Sequence, residues 1–166
     1  GITGQMSIFN ALIAAKEITG NLAISDAVVL IHDGVRPLIN HKVISDNIIS
    51  VKKYGTAITT GKVAETILVV NDEDVIDHVP DRNYSRVAKA PQSFWLNTIL
   101  SAHQKAQREG MFNCIDSCTM MKGYGYSMHL VDGPVENIKI TTQSDYYTMR
   151  ALLDAKEEQQ LFEEDI

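Results

Sequence analysis

The sequence is poor in cysteine, which argues against domains held together by disulfides or zinc. Two of its 166 residues are cysteines, Cys114 and Cys118. No cluster of cysteine, histidine or acidic residues accompanies them at the spacing of a zinc site. A disulfide framework needs more cysteines than this. We therefore expect two reduced thiols with a structural role.

Long apolar runs and an excess of basic residues are also absent. No apolar run reaches the roughly 18 residues that cross a bilayer, and the amino terminus carries no charged-then-apolar signal pattern. The 15 lysines and arginines are outnumbered by 21 aspartates and glutamates, giving a formal net charge of −6. Proteins that bind nucleic acid through their overall field need a basic face. We therefore expect a cytoplasmic protein with no membrane or nucleic-acid partner, in which any phosphate is bound by a local group of cations.

The remaining features are those of one globular domain. Hydrophobic residues make up 45% of the chain, which is enough for a sizeable core. No internal repeat or low-complexity linker divides the sequence. We predict a single domain over residues 1–166, with a charge-rich end at 157–166 that frays.

A candidate functional site follows the apolar run at 27–31. The five residues of this run do not alternate with polar ones, which predicts a strand buried on both faces of a parallel sheet. Asp33 and Arg36 come directly after it. Ligands of open α/β sheets bind at the carboxyl ends of strands, so these two residues suit a metal ion and a phosphate. An ordinary Asp-Gly turn and a packed His32 are the alternative.

Periodicity and turn residues predict alternating helices and strands. The segment 81–95, which contains a proline, is predicted to be a polar loop, and the opening segment 1–5 is either a phosphate-binding loop or a plain turn. His103 is predicted to be a packed core residue. Helices are predicted at 7–16, 41–54, 96–108, 116–121 and 146–160, and strands at 27–31, 56–60, 63–70, 75–79, 126–131 and 136–141.

The two strands at 63–70 and 75–79 flank an acidic turn and predict a β-hairpin. An isolated two-stranded hairpin is unstable in water. We therefore expect this hairpin to pack on another surface, for which a second copy of the chain is the natural candidate.

Two groups of cations are candidates for binding an anion. Lys139 lies between Ile138 and Ile140 in a β-like segment, and it needs either an anionic partner or a solvent-exposed edge. Three basic residues, Arg82, Arg86 and Lys89, fall within eight positions. They suggest an anion site, but solvated surface charge is the favoured interpretation of this second group.

Five short segments stand in a fixed order along the chain. They are His-Asp-Gly-Val-Arg-Pro at 32–37, Glu-Thr at 65–66, Asp-Arg-Asn at 81–83, Ala-Pro-Gln-Ser-Phe at 90–94, and Val-Asp-Gly through Asn-Ile-Lys-Ile-Thr-Thr at 131–142. In this order they resemble the cytidylyltransferases that act on 2-C-methyl-D-erythritol 4-phosphate or on ribitol 5-phosphate. The match covers nearly the whole chain, and the ordered set is far more specific than any one segment.

The resemblance implies an α/β fold, namely a Rossmann-like nucleotidyltransferase sheet with flanking helices and a protruding β-hairpin arm at about 62–86. It also implies CTP and a polyol phosphate as substrates, a divalent cation, usually Mg²⁺, and a homodimer whose arms reach into the partner's active site. The site residues that it implies are Asp33 at the metal and the substrate phosphate, Lys139 at the phosphates, Arg36 at the substrate, Thr66 and Arg82 on the arm at the neighbouring subunit's polyol phosphate, and Gly1 and Ser7 at the cytidine.

The sequence departs from the family pattern at its start. Gly4 stands where an arginine is common, and the first strand and glycine-rich triphosphate loop of the family are not found. The chain is therefore expected to be either a fragment of a longer enzyme or a non-catalytic truncated homologue. Val35, Ala90 and Ile115 favour the ribitol 5-phosphate branch, with methylerythritol phosphate as the alternative substrate.

The reaction implied by the resemblance needs position and charge from the protein. A phosphate oxygen of the acceptor attacks the α-phosphorus of CTP, and pyrophosphate leaves in line. A phosphate monoester is already a dianion near neutral pH, so no general base is required. A phospho-acceptor signalling module also places an aspartate after a buried strand, but it has no use for a hairpin arm.

Overall fold

The protein, described by a computed structural model for residues 2–163 with side chains to residue 158, is a mixed α/β fold. Four strands form the main sheet in the order β1-β5-β2-β6, and β3 and β4 form a separate hairpin. The helices are α1 (Gly4–Asn21), α2 (His41–Tyr54), α3 (Leu96–Arg108), α4 (Ser117–Gly123) and α5 (Gln143–Glu163), and the strands are β1 (Val28–Ile31), β2 (Thr56–Lys62), β3 (Val69–Val70), β4 (Ile76–His78), β5 (Arg86–Trp95) and β6 (Leu130–Asp132).

The strand next to the candidate site has a different neighbour from the one predicted. Strand β1 pairs antiparallel with β5, and its four residues are half-buried. Helix α2 connects β1 to β2, and these two strands run in the same direction, but β5 lies between them in the sheet. The prediction of a fully buried strand with parallel neighbours is therefore wrong, because an apolar run fixes neither the extent of burial nor the direction of the adjacent strand.

Strand β5 occupies the segment that was predicted to be a polar loop. It pairs with both β1 and β2, and residues 90–94 are buried. Pro91 lies where the β2–β5 register shifts, between Ile58 and Thr60, so its missing N–H interrupts no regular ladder. Gln92 and Ser93 are buried because other side chains satisfy them: Gln92 donates to Asp116 (2.8 Å) and Ser93 to Asn47 (2.9 Å).

Local signals give the helices more accurately than the short strands. Helix α2 ends at Gly55 (φ 86°), as predicted, and α3 spans the predicted residues. Helix α1 begins at Gly4, capped by the Thr3 hydroxyl, so the predicted loop at 1–5 is wrong at residues 4 and 5. The hairpin is confirmed, but residues 63–68 are not in a strand, and neither are residues 136–141.

The core lies between the main sheet and helices α1, α3 and α4. Its fully buried members include Phe94, Leu96, Ile99 and Met121, and His103 is buried with them as predicted. Helix α5 stands apart from this core: Leu153, predicted to be buried, is 36% exposed. None of the helices within residues 2–163 is both long and apolar enough to cross a bilayer.

Candidate functional site

A cavity of about 640 Å³ opens where β1 ends. The start of α1, the middle of β5, the segment 113–117 and Lys139 form its walls. A volume of this order accommodates a small organic ligand. The cavity therefore lies where the sequence places the candidate site, although the sheet around it is not parallel.

Asp33, Arg36 and Lys139 meet in this cavity. The Arg36 guanidinium Nε lies 3.0 Å from Asp33 Oδ2, and Lys139 Nζ lies 3.5 Å from the same oxygen. Arg36 is 8% exposed, whereas the Asp33 and Lys139 side chains are 38% and 49% exposed. The structure thus brings together three of the predicted residues, with Arg36 fixed and Lys139 open to the cavity.

Arg36 is held in place from both sides of its loop. Its Nη1 donates to the carbonyl of Asn137 (2.9 Å), and its own carbonyl accepts from His32 Nε2 (2.9 Å). The histidine thus supports the loop, which agrees with the packed alternative for His32. A guanidinium with two of its N–H groups committed and little exposure presents a fixed positive charge.

Lys139 lies in a loop and not in the predicted strand. Buried Asn137 donates to the Ala90 carbonyl (2.7 Å), and the Ile140 N–H donates to the Val35 carbonyl (2.9 Å). These bonds tie the loop to β5 and to the segment after β1 instead of extending the sheet. At the start of the loop, a Cβ on Gly133 would lie 2.6 Å from Thr59 Cγ2, so only glycine fits there.

Asp33 is a carboxylate that could hold a divalent cation together with phosphates and water. Residues 2–158 contain no group of three or more histidine, cysteine or acidic side chains that could hold a metal by itself. Mg²⁺ is commonly bound through one or two carboxylates together with substrate phosphates. Asp33, partly exposed at the cavity, is a carboxylate of this kind.

Thr66 and Arg82 lie on the arm, away from the cavity lining. Thr66 is exposed in the irregular segment between β2 and β3. Arg82 lies in a 3-10 turn and donates to the Ala64 carbonyl (3.0 Å), which ties the two ends of the arm together. Within one chain the structure therefore does not bring these two residues to Asp33 and Lys139.

Of the two predicted cytidine residues, Ser7 is the one that the structure describes, and it does not line the cavity. Gly1 lies outside the described residues. Ser7 is exposed in the first turn of α1, where its hydroxyl donates to the Thr3 carbonyl (3.2 Å). Gly4 and Gln5, in the same turn of α1, line the cavity instead.

Two further residues line the cavity: Asp116, to which the sequence analysis gave no role in a site, and Lys89, for which it favoured solvated surface charge. Asp116 caps α4 by accepting from the Thr119 N–H (2.7 Å) and also accepts from Gln92. Burial alone would raise the pKa of Asp116, but its hydrogen bonds from Thr119 and Gln92 outweigh burial and lower that pKa. Lys89 lines the cavity too, whereas its sequence neighbours Arg82 and Arg86 are exposed and donate to backbone carbonyls of the arm.

His103 lines the cavity as an uncharged residue. Burial lowers its pKa from 6.5 to about 4, so the ring is neutral at pH 7. Neither ring nitrogen has a hydrogen-bond partner within the part of the chain that the structure describes. The cysteines are both free, as predicted, and burial raises the pKa of Cys118, with the Asp116 charge adding to the effect.

The comparisons with known proteins agree with this geometry. The model of the 2-C-methyl-D-erythritol 4-phosphate cytidylyltransferase (IspD) family matches residues 1–155. The chain belongs to this family. The cytidylyltransferase fold also accounts for the sheet, since 92% of the chain superposes on 67% of 4-diphosphocytidyl-2C-methyl-D-erythritol synthase from Anaerococcus prevotii, with a TM-score of 0.79 and 28% identity.

Relatives within the cytidylyltransferase family carry two substrate names. The chain is 52% identical over 162 residues to a ribitol-5-phosphate cytidylyltransferase of Streptococcus agalactiae, covering 98% of the chain and 66% of that relative. It is 34% identical over 153 residues to the 2-C-methyl-D-erythritol 4-phosphate cytidylyltransferase of Clostridium acetobutylicum, covering 92% of the chain and 63% of that protein. The chain thus spans about two thirds of the length of these relatives.

Proposed function

We propose that this protein transfers CMP from CTP to a polyol phosphate, D-ribitol 5-phosphate, forming a CDP-polyol and pyrophosphate. The observation that carries the proposal is the meeting of Asp33, Arg36 and Lys139 at one cavity. The two cations can pair with phosphate groups, and a partly exposed carboxylate can share a divalent ion with those phosphates.

The proposed chemistry depends on charge and position. The acceptor phosphate attacks the α-phosphorus of CTP, and negative charge accumulates on the oxygens as pyrophosphate leaves. Arg36, rigidly held, orients the acceptor, and the more exposed Lys139 neutralises charge on the phosphates. The acceptor arrives as a dianion, so no residue needs to remove a proton.

Asp33 is proposed to hold the divalent cation, Mg²⁺, together with phosphate oxygens. When bound, the ion would reduce repulsion between the two phosphate groups that react. Asp33 already faces both cations through one carboxylate oxygen, which keeps it oriented toward the cavity before any ligand enters.

The arm is proposed to complete the site of a second copy of the chain. Four apolar side chains on or beside the hairpin, Leu68, Val70, Val75 and Ile76, are each at least half exposed. Such a surface is expected to be covered in a homodimer. Thr66 and Arg82 would then bind the polyol phosphate in the neighbouring subunit, and Gly1 and Ser7 are proposed to contact the cytidine.

Ribitol 5-phosphate is favoured over methylerythritol phosphate because the relatives with the higher sequence identity are named ribitol-5-phosphate cytidylyltransferases. Ile115 is 92% exposed beside the cavity, at a position where the family's isoprenoid enzymes commonly carry threonine. Since CTP and polyol phosphates are made in the cytoplasm, we place the protein there. A product used in cell-wall or capsule polysaccharide follows from the same assignment.

The test is pyrophosphate release from CTP and Mg²⁺ with the two acceptors offered in parallel. It should use this chain and a version lengthened at its amino terminus to match the relatives. Turnover with ribitol 5-phosphate supports the proposal, and turnover with methylerythritol phosphate alone reverses the substrate assignment. If neither version releases pyrophosphate with either acceptor, the protein is a non-catalytic homologue.

A further inference from the structure

Lys89 has an environment unlike that of the exposed lysines. It lies on β5 and is half-buried in the cavity wall that also contains Arg36 and Lys139. Its Nζ donates to the Pro134 carbonyl (3.2 Å). A Cβ on Gly61 would come within 3.0 Å of Lys89 Cε, so the glycine leaves room for the lysine stem along β2.

The carboxylates of the cavity are already engaged elsewhere. Asp33 faces Arg36 and Lys139, and Asp116 accepts from Thr119 and Gln92. Within residues 2–158, Lys89 forms no ion pair with a carboxylate, and its one hydrogen bond to protein goes to a neutral carbonyl. An ammonium group has three donors, so Lys89 has donors to spare for a ligand.

The position of Lys89 disfavours the charged form of its ammonium group. Burial, and after it the charge of Arg36, lowers the pKa of Lys89, while the Glu136 carboxylate acts in the opposite direction. A partly buried cation beside another cation becomes favourable when an anion binds between them. A phosphate group is the anion whose size and charge suit three cations around one cavity.

We propose that Lys89 is a further phosphate-binding residue, which contacts a phosphate oxygen of either the polyol phosphate or CTP. The proposal rests on the proposed function and extends its site from two cations to three. It also separates Lys89 from Arg82 and Arg86, which stand near it in the sequence but lie on the exposed arm.

Calorimetric titration of four chains tests the proposal: wild type, Lys89→Met, Lys89→Arg, and Lys52→Met as a control at an exposed lysine on α2. The ligands are ribitol 5-phosphate, CTP, inorganic phosphate and the phosphate-free cytidine. We expect Lys89→Met to weaken the binding of at least one phosphate ester by about 10- to 100-fold, the usual effect of losing one charged hydrogen bond. The ester whose affinity falls is the one whose phosphate Lys89 contacts.

Two comparisons distinguish phosphate binding from a structural tie through Pro134. Lys89→Arg keeps the positive charge and should retain most of the affinity, and cytidine binding should be the same in all four chains. Lys89→Met binding both esters as tightly as Lys52→Met overturns the proposal, and so does an equal loss of cytidine and ester binding.

The titrations, together with the pyrophosphate-release assay on the same chains, separate this proposal from the proposed function. If wild type forms CDP-ribitol and Lys89→Met does so equally well, Lys89 is removed from the site while the function stands. If inorganic phosphate binds in a Lys89-dependent manner but neither ester binds, Lys89 is retained and the function is lost.

Discussion

Arg36 and Lys139 bring the same charge to the same carboxylate, but only one of them is part of the packed interior. Replacing Lys139 by alanine should lower kcat by about 100-fold or more, because a charge that stabilises the transition state is lost. Its side chain is 49% exposed, so the melting temperature should stay within experimental error. Steady-state kinetics and thermal unfolding of the same preparation measure both quantities.

Arg36→Ala should lose turnover and stability together. It removes a buried side chain and leaves the Asn137 carbonyl without its donor, at a cost of about 1–3 kcal/mol in the free energy of unfolding. Lys42→Ala, at an exposed lysine on α2, is the control and should change neither quantity.

Near-normal kcat in Lys139→Ala would remove that residue from the mechanism.

His103 should make the fold sensitive to acid. Its pKa is about 4 in the folded protein and near 6.5 when unfolded, so the unfolded chain binds the proton first as the pH falls. Stability should be full above pH 6.5 and decline down to about pH 4, by up to about 3 kcal/mol from this residue. Urea unfolding at several pH values gives the slope.

Two variants isolate the contribution of His103 to that slope. His103→Leu should show a flatter decline between pH 6.5 and pH 4, whereas His41→Gln, at an exposed histidine, should follow wild type. Equal slopes in wild type and His103→Leu would show that another group is responsible.

For single residues, local sequence context predicts Asp33, Arg36 and Lys139 as members of a site, and the structure brings these three side chains together. Asp33 and Arg36 follow an apolar run directly, and Lys139 interrupts one. The environment of Lys89 could not be predicted, because it depends on the space beside Gly61 and on the Pro134 carbonyl, which lie on other segments. The same is true of the Asp116–Gln92 pair.

At the level of the helices, replacing a glycine by alanine should change the free energy of unfolding in opposite directions at two positions near helix ends. Gly55 closes α2 in the left-handed region (φ 86°), so Gly55→Ala should cost about 1 kcal/mol. Gly20 lies inside α1 with no atom near its missing Cβ, so Gly20→Ala should stabilise by roughly 0.5–1 kcal/mol. Chemical denaturation measures both, and two changes of the same sign would contradict this account of the caps.

The accuracy of prediction differed between helices and strands for a physical reason. Helix α2 follows from the spacing of its apolar residues and from its caps, and α3 follows from apolar spacing. Strand β5 was missed because Pro91, Gln92 and Ser93 are unusual in a buried strand. They are tolerated because the register shifts in β2 and because Ser93 and Gln92 donate hydrogen bonds to Asn47 and Asp116, none of which a local pattern contains.

For the molecule as a whole, the proposed sharing of sites between two copies predicts complementation. Under this proposal, Lys139→Ala disables the cavity of its own chain, and Arg82→Ala disables the arm that reaches the partner's cavity. Coexpressed, they should form mixed dimers with one intact site, giving about a quarter of wild-type activity in a statistical mixture. Each variant alone should be nearly inactive.

The control for complementation pairs two changes in the same cavity. Coexpression of Lys139→Ala with Asp33→Ala should restore nothing, because every mixed dimer keeps a defect in both cavities. If coexpressed Lys139→Ala and Arg82→Ala are equally inactive while light scattering shows a dimer, then the arm does not contribute to the partner's site.

The claim on which the whole account depends is that this cavity joins CMP to a polyol phosphate. Its most direct test is ³¹P NMR of CTP and ribitol 5-phosphate incubated with Mg²⁺ and the chain lengthened to match its relatives, with Lys139→Ala in parallel. We predict the two coupled resonances of a diphosphate diester and an equal amount of pyrophosphate, both absent with the variant. Release of CDP and inorganic phosphate, or an equal yield of the diester from Lys139→Ala, would contradict the account.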